Sequence, residues 1–192
     1  MMGLQIDPET GRKGDWILLN SGKRYWPLDP RPEDFTIEDI AHGLSHVCRW
    51  AGHVDNFYSV AQHSVIVSHN VPDHFAMDAL LHDASEAYIG DVTRPLKRMM
   101  GGLYATIERK TEEAIATQFD LRPSMPPIVK SIDNRITVDE RKQLFTNNDE
   151  SFPWMYPSDQ ALGLRIHPYE PHRAKEMFMR RYHEIKGDRF AG

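Results

Sequence analysis

Between His82 and Asp91 the chain sets one histidine and three carboxylates into ten positions, in a stretch whose other residues favour burial. Leu80 and Leu81 lead in, Ala84 and Ala87 are strong helix formers, and Gly90 stands where a helix end is expected. This combination restricts the folds open to the chain, because an enclosed carboxylate has to be paired, hydrogen-bonded or bound to a cation. The spacing predicts one helix from Phe75 to Tyr88, with Glu86 one turn beyond both His82 and Asp83. His82 and Asp83 then point about 100° apart and can still converge on one ion over the helix edge. A histidine, a carboxylate and a second carboxylate nearby are what a hydrolytic metal site requires: ligands, and a group to handle a proton.

The segments around this stretch also read as helices. Thr36 is a helix cap with an acid three residues on, and Ile37, Ile40, Ala41, Leu44 and Val47 repeat at helical spacing towards an end near Arg49-Trp50, before Gly52. His42 and His46 lie four apart on that helix, but no glutamate follows His42, and a structural role is the better reading. Ser59-Val60-Ala61-Gln62 is a capping box opening a helix of apolar and small residues that should be buried on most sides, with His63 inside it and Pro72 closing it. Thr93 to Arg98 reads as a basic turn with a cation aimed back at the acidic stretch. Leu103 to Phe119 is amphipathic, with Glu108, Arg109, Glu112 and Glu113 on a solvated face. Ile128 to Phe145 is a further helix, and Asp133 on it needs a partner; for Asp139 and Glu140 surface pairing is the simpler reading. Pro171 to Lys186 is the last helix.

Residues 1 to 35 read as an irregular extension lying along the outside of a domain that spans 36 to 192. In it Trp16-Ile17-Leu18-Leu19 and Tyr25-Trp26 could form a small hairpin, and Pro27, Pro30 and Pro32 break regular structure. Phe152, Trp154 and Tyr156 alternate in a loop from Asn147 to Pro157, with core packing the safer reading. A single cysteine, Cys48, excludes an internal disulfide, and a net charge of -5 argues against stable nucleic-acid binding while leaving room for a local phosphate pocket. No apolar run is long enough to span a membrane, and the first fifteen residues have no basic-then-apolar signal pattern, so a cytoplasmic location is expected.

The order His63, His82-Asp83, Asp133 resembles the H…HD…D pattern of the HD-domain phosphohydrolase superfamily. Arg49-Trp50, His63-Ser64, His82-Asp83-Ala84-Ser85-Glu86, Gly90-Asp91 and Pro95-Leu96-Lys97 together look like the YfbR-type 5′-deoxynucleotidases, and equally like the small phage-type deoxynucleoside triphosphohydrolases that act on dATP, the DatZ type. The resemblance covers roughly Ile37 to Arg141. It implies an all-α helical bundle that forms a dimer or larger homo-oligomer and acts on a small-molecule deoxynucleotide, with no membrane partner. It also implies that His63, His82, Asp83 and Asp133 bind one divalent metal. The mixed nitrogen and oxygen donors suit Co, Mn, Zn, Fe or Ni, and no histidine lies between His82 and His167 to build a second centre. A triphosphate substrate could bring an additional Mg.

By the same resemblance Glu86 and Asp91 are catalytic, positioning the water and handling the leaving oxygen. Arg49, Trp50, Gln62, Arg94 and Lys97 are substrate-binding. For Arg49 and Trp50 the competing reading is packing at a helix end. Gln62 stands where the nucleotidases usually carry glutamate, and the loss of one negative charge tips the expectation towards a dNTP triphosphohydrolase over a dNMP 5′-nucleotidase. Two readings of other classes compete with an enzyme: a non-catalytic HD module that binds nucleotides, and a helical scaffold with scattered histidines.

Overall fold

The helical class is the observed one: a computed structural model, which describes residues 5–149, 151–152 and 160–188, has among them eight α-helices and a small two-stranded sheet. Among those residues no helix is long and apolar enough to cross a membrane. The hairpin pairs β1 (Ile17–Leu18) with β2 (Arg24–Tyr25), Ile17 opposite Tyr25. The segment carrying it runs mostly exposed over the surface, as expected, but is anchored in the core by a few side chains. Tyr25, Trp26 and Phe35 are buried; Tyr25 and Phe35 stack with Tyr88, and the Tyr25 hydroxyl shares a hydrogen bond of 2.8 Å with Thr111. Arg12, buried over the Trp26 ring at 4.4 Å, pairs with the buried Asp34 and locks the segment down. Position 36 is therefore a change of secondary structure inside one core.

Helix α1 (Ile37–His46) opens on the Thr36 cap as expected but stops earlier than its periodicity suggested. The Val47 N–H closes the last turn on Gly43, and the chain then pairs with residues 58–60 instead: Arg49 N–H donates to Tyr58 and Val60 N–H to Val47. Arg49 and Trp50 sit on a 3₁₀ turn, Arg49–Gly52, in which Trp50 (φ 58°) and Ala51 (φ 51°) are left-handed, a conformation costing roughly 1–2 kcal/mol per residue.

Helix α2 (Val60–His69), capped by Ser59, is the central element; it buries most of its residues against α1, α3 (Ala76–Leu80), α7 (Pro127–Gln143) and α8 (Pro171–Lys186). The helix predicted across Phe75 to Tyr88 is broken. After α3, residues 81–85 form tight turns whose bonds run three residues back, Ala84 to Leu81 and Glu86 to Asp83, before α4 (Glu86–Ile89). Here the His82 ring takes the Ala79 carbonyl at 2.8 Å. Gly43 lets α1 close on α4, since a Cβ there would stand 2.7 Å from that of Ala87.

The basic stretch is a helix, α5 (Arg94–Met100), rather than a turn, and α6 (Gly102–Phe119) follows it. Leu103, expected inside, is exposed, while Glu108, expected on the solvated face, is half-buried. Of the aromatic loop, Phe152 is exposed; Trp154 and Tyr156 lie outside the described residues.

Candidate metal centre

Three elements deliver the donors. His63 comes from the middle of α2, His82 from the turns after α3, and Asp133 from the second turn of α7. One donor atom from each lies within 4.8 Å of the others, close enough to hold a metal ion. The outer nitrogen of each imidazole is committed: the His63 Nδ1–H donates to Glu140 Oε1 at 2.6 Å, and His82 Nδ1–H to the Ala79 carbonyl. These bonds orient the rings and turn both Nε2 atoms inward. Both Nε2 atoms are buried without a hydrogen-bond partner. A buried, unpaired imidazole nitrogen is costly; two facing one carboxylate fit a cation between them. Asp83, the fourth expected ligand, is not one of these three donors but lies beside them, its Oδ2 3.1 Å from His82 Nε2 and 3.9 Å from His63 Nε2.

Behind the donors lies a carboxylate the sequence reading put on the surface. Glu140 is fully buried on α7, two turns from Asp133. One oxygen accepts from His63; the other accepts from Arg49 Nε and Trp50 Nε1, both at 3.1 Å. Arg49 reaches on to Asp83 at 3.6 Å. The left-handed turn at Trp50 is thus what brings Arg49 and Trp50 back onto Glu140. Burial raises Glu140, but Arg49 and His63 outweigh it and hold the carboxylate below its usual range. Asp139 is buried as well, and accepts the N–H groups of Leu162 and Gly163 at 2.8 and 3.0 Å.

Burial and Arg49 both push the His63 imidazole down, yet Glu140 and Asp133 prevail and bring it up to about 9. Asp133 responds in kind: against burial, the His63 imidazole 3.2 Å away holds it well below the carboxylate range. Its second oxygen takes Lys130 at 2.7 Å, so Asp133 is paired with a lysine one turn away and also stands among the metal donors. Glu86 differs: burial, with Asp83 and Asp91 adding to it, raises it well above the usual range, and its Oε2 is buried without a hydrogen-bond partner. Asp91 is raised as well, chiefly by burial.

These groups open onto a cavity of about 430 Å³. Asp83, Asp133, Glu86 and Asp91 line it together with Arg49, Trp50, Arg94 and Lys97; Arg98, Lys130 and Thr137, which the sequence reading did not assign to the site, line it too. Gln62 does not belong there. Its Nε2–H donates to the His167 carbonyl at 2.6 Å and its Oε1 accepts the Tyr169 N–H at 3.0 Å, so the buried amide pins the segment entering α8 and makes no pocket wall. Glu140 had a signal: at seven residues beyond Asp133 it shares that residue's helix face.

No family profile matches the chain. An Escherichia coli K12 protein named uncharacterized protein YfdR is 38% identical over 170 residues, covering 88% of this chain and 95% of its own length. A Rhodobacter capsulatus protein named uncharacterized protein RCAP_rcc00048 is 33% identical over 191 residues, covering 90% and 96%. Similarity at this level over nearly the whole of each chain makes this protein a member of the family that contains YfdR.

Proposed function

We propose that the protein is a metal-dependent phosphohydrolase of the HD type acting on 2′-deoxynucleotides, and that its substrate is a dNTP of the dATP kind, cleaved to deoxynucleoside and triphosphate. The observation that carries the reading is the pair of buried Nε2 atoms, without hydrogen-bond partners, that meet Asp133, which itself lines a cavity together with Arg94, Lys97, Arg98 and Lys130. His63, His82, Asp133 and Asp83 would hold one divalent transition metal. A metal bound there supplies Lewis acidity towards a phosphoryl oxygen and lowers the pKa of water.

The chain's own groups do the rest. Glu86, which lines the cavity beside Asp83 and whose basicity burial raises, is placed to take a proton from the attacking water. Asp91, also raised, is placed to return a proton to the departing 5′-oxygen as the bond to the α-phosphorus breaks. Lys97 offsets charge on the phosphate, and Arg94, Arg98 and Lys130 extend the cationic lining beyond what one phosphate needs, which favours a triphosphate over a monophosphate. Arg49 has most of its guanidinium engaged by Glu140 and Asp83, so its main contribution is to brace them, and the Trp50 ring walls the nucleoside end.

The test is to load the protein with each of Mn, Co, Zn, Fe and Ni, incubate it with each dNTP and dNMP, and identify the products. Release of triphosphate and deoxynucleoside is expected. Turnover of dNMP alone would make it a 5′-nucleotidase, and binding without turnover a nucleotide-binding module.

A further inference from the structure

Lys97 is the cation on α5 that stands between two carboxylates. Its Nζ donates to Glu108 on α6 at 2.6 Å and lies 3.8 Å from Glu86 Oε1. Glu86 is the more buried of the two acids, with one oxygen lacking a hydrogen-bond partner. Such a carboxylate is a strong attractor for a nearby ammonium, since a charge taken from water gains most from a close counter-charge. A closed Lys97–Glu86 pair would cost the site twice, withdrawing the cation from the phosphate and the carboxylate from proton transfer.

We propose that Glu108 is a positioning residue that holds the Lys97 ammonium at the cavity wall and keeps it from closing on Glu86. This rests on the reading of the cavity as a phosphate site. Three features support it. α5 buries none of its residues, so little else on that helix fixes where Lys97 stands. A lysine side chain carries about 2 kcal/mol of rotamer entropy, and a second anchor is needed to define its head. α6, in turn, is held by buried Thr111, Ala114 and Ile115, with Thr111 bonded to Tyr25. Glu108 therefore refers an exposed helix to the core, and by its reach sets the Lys97 to Glu86 separation.

The test uses the wild-type protein and the Lys97→Ala, Glu108→Gln and double variants, with inorganic triphosphate as the probe in calorimetry. Glu108→Gln keeps the shape and removes the charge, and its affinity for triphosphate should fall about tenfold, roughly 1.4 kcal/mol. In the Lys97→Ala background the same change should have no further effect, because Glu108 acts through Lys97. A crystal structure of Glu108→Gln should place Lys97 Nζ within hydrogen-bond distance of Glu86. Unchanged or tighter binding in Glu108→Gln, an equal loss without Lys97, or a lysine that stays where it is, would each overturn the proposal. Turnover plays no part in these measurements, so a protein that binds triphosphate but hydrolyses nothing would remove the phosphohydrolase reading and leave the role of Glu108 standing.

Discussion

The two walls of the cavity are built on opposite terms. One wall, from α7, carries Asp133 and is backed by the interior: α2 behind it is buried along most of its length, and His63 and Glu140 are fully enclosed. The other wall, α5, carries Arg94, Lys97 and Arg98 and buries nothing, with Leu96, Met99 and Met100 open on its far side. On the proposed function, the difference separates two chemical tasks. Metal ligands must be held to a fraction of an ångström, which a packed core supplies. Phosphate is a mobile, charged, water-loving group, and cations on a surface element meet it at little desolvation cost. Substitutions on the first wall should therefore damage stability and activity together, and those on the second activity alone.

The largest effect should follow Asp133→Asn. Metal content measured on the purified protein should fall to background, and turnover by a thousandfold or more; an active Asp133→Asn protein would remove the metal centre from the mechanism. Glu140→Ala comes next. It leaves the Arg49 guanidinium buried without its main partner, so denaturant unfolding should show a loss of about 3–5 kcal/mol, and metal affinity should drop about 10- to 100-fold as the His63 ring loses its orienting bond. If stability held, the claim that this wall is backed by the core would fail.

Proton competition sharpens the same point. His63 must give up its proton to bind a metal, and its environment raises that proton's pKa to about 9. Apparent metal affinity, followed by calorimetric titration, should climb about tenfold per pH unit below that value and level off above it. An affinity independent of pH between 7 and 9 would show that His63 does not have to lose a proton to bind the ion. On the other wall, Lys97→Ala should raise KM about tenfold while the melting temperature stays within a degree or two of wild type. The smallest effect belongs to Leu103→Ala, at a side chain 71% exposed beside that wall, where unfolding should shift by less than about 0.5 kcal/mol.

Local sequence is enough to specify much of this protein. Helix caps act through neighbouring backbone groups, so Thr36 and Ser59 mark real helix starts, and apolar spacing identifies α2 as the buried one. His63, His82 and Asp133, expected together from their order along the chain, do stand together. What the chain could not reveal by itself depends on partners far away in sequence. Glu140 and Asp139 look like surface acids until His63, 77 residues earlier, and the segment at Leu162 and Gly163 are folded against them. Gln62 resembles a pocket residue until His167 and Tyr169, more than a hundred residues on, take its amide. The helix expected through His82 breaks at residues 81–85, and the segment 5–35 is pinned into the core through Tyr25, Trp26 and Phe35. Periodicity and capping are set within a few residues, whereas burial and the pairing of charges are settled only when distant elements meet; the three clustered donors could be named from the sequence, but the residues that hold them in place were decided by the tertiary structure.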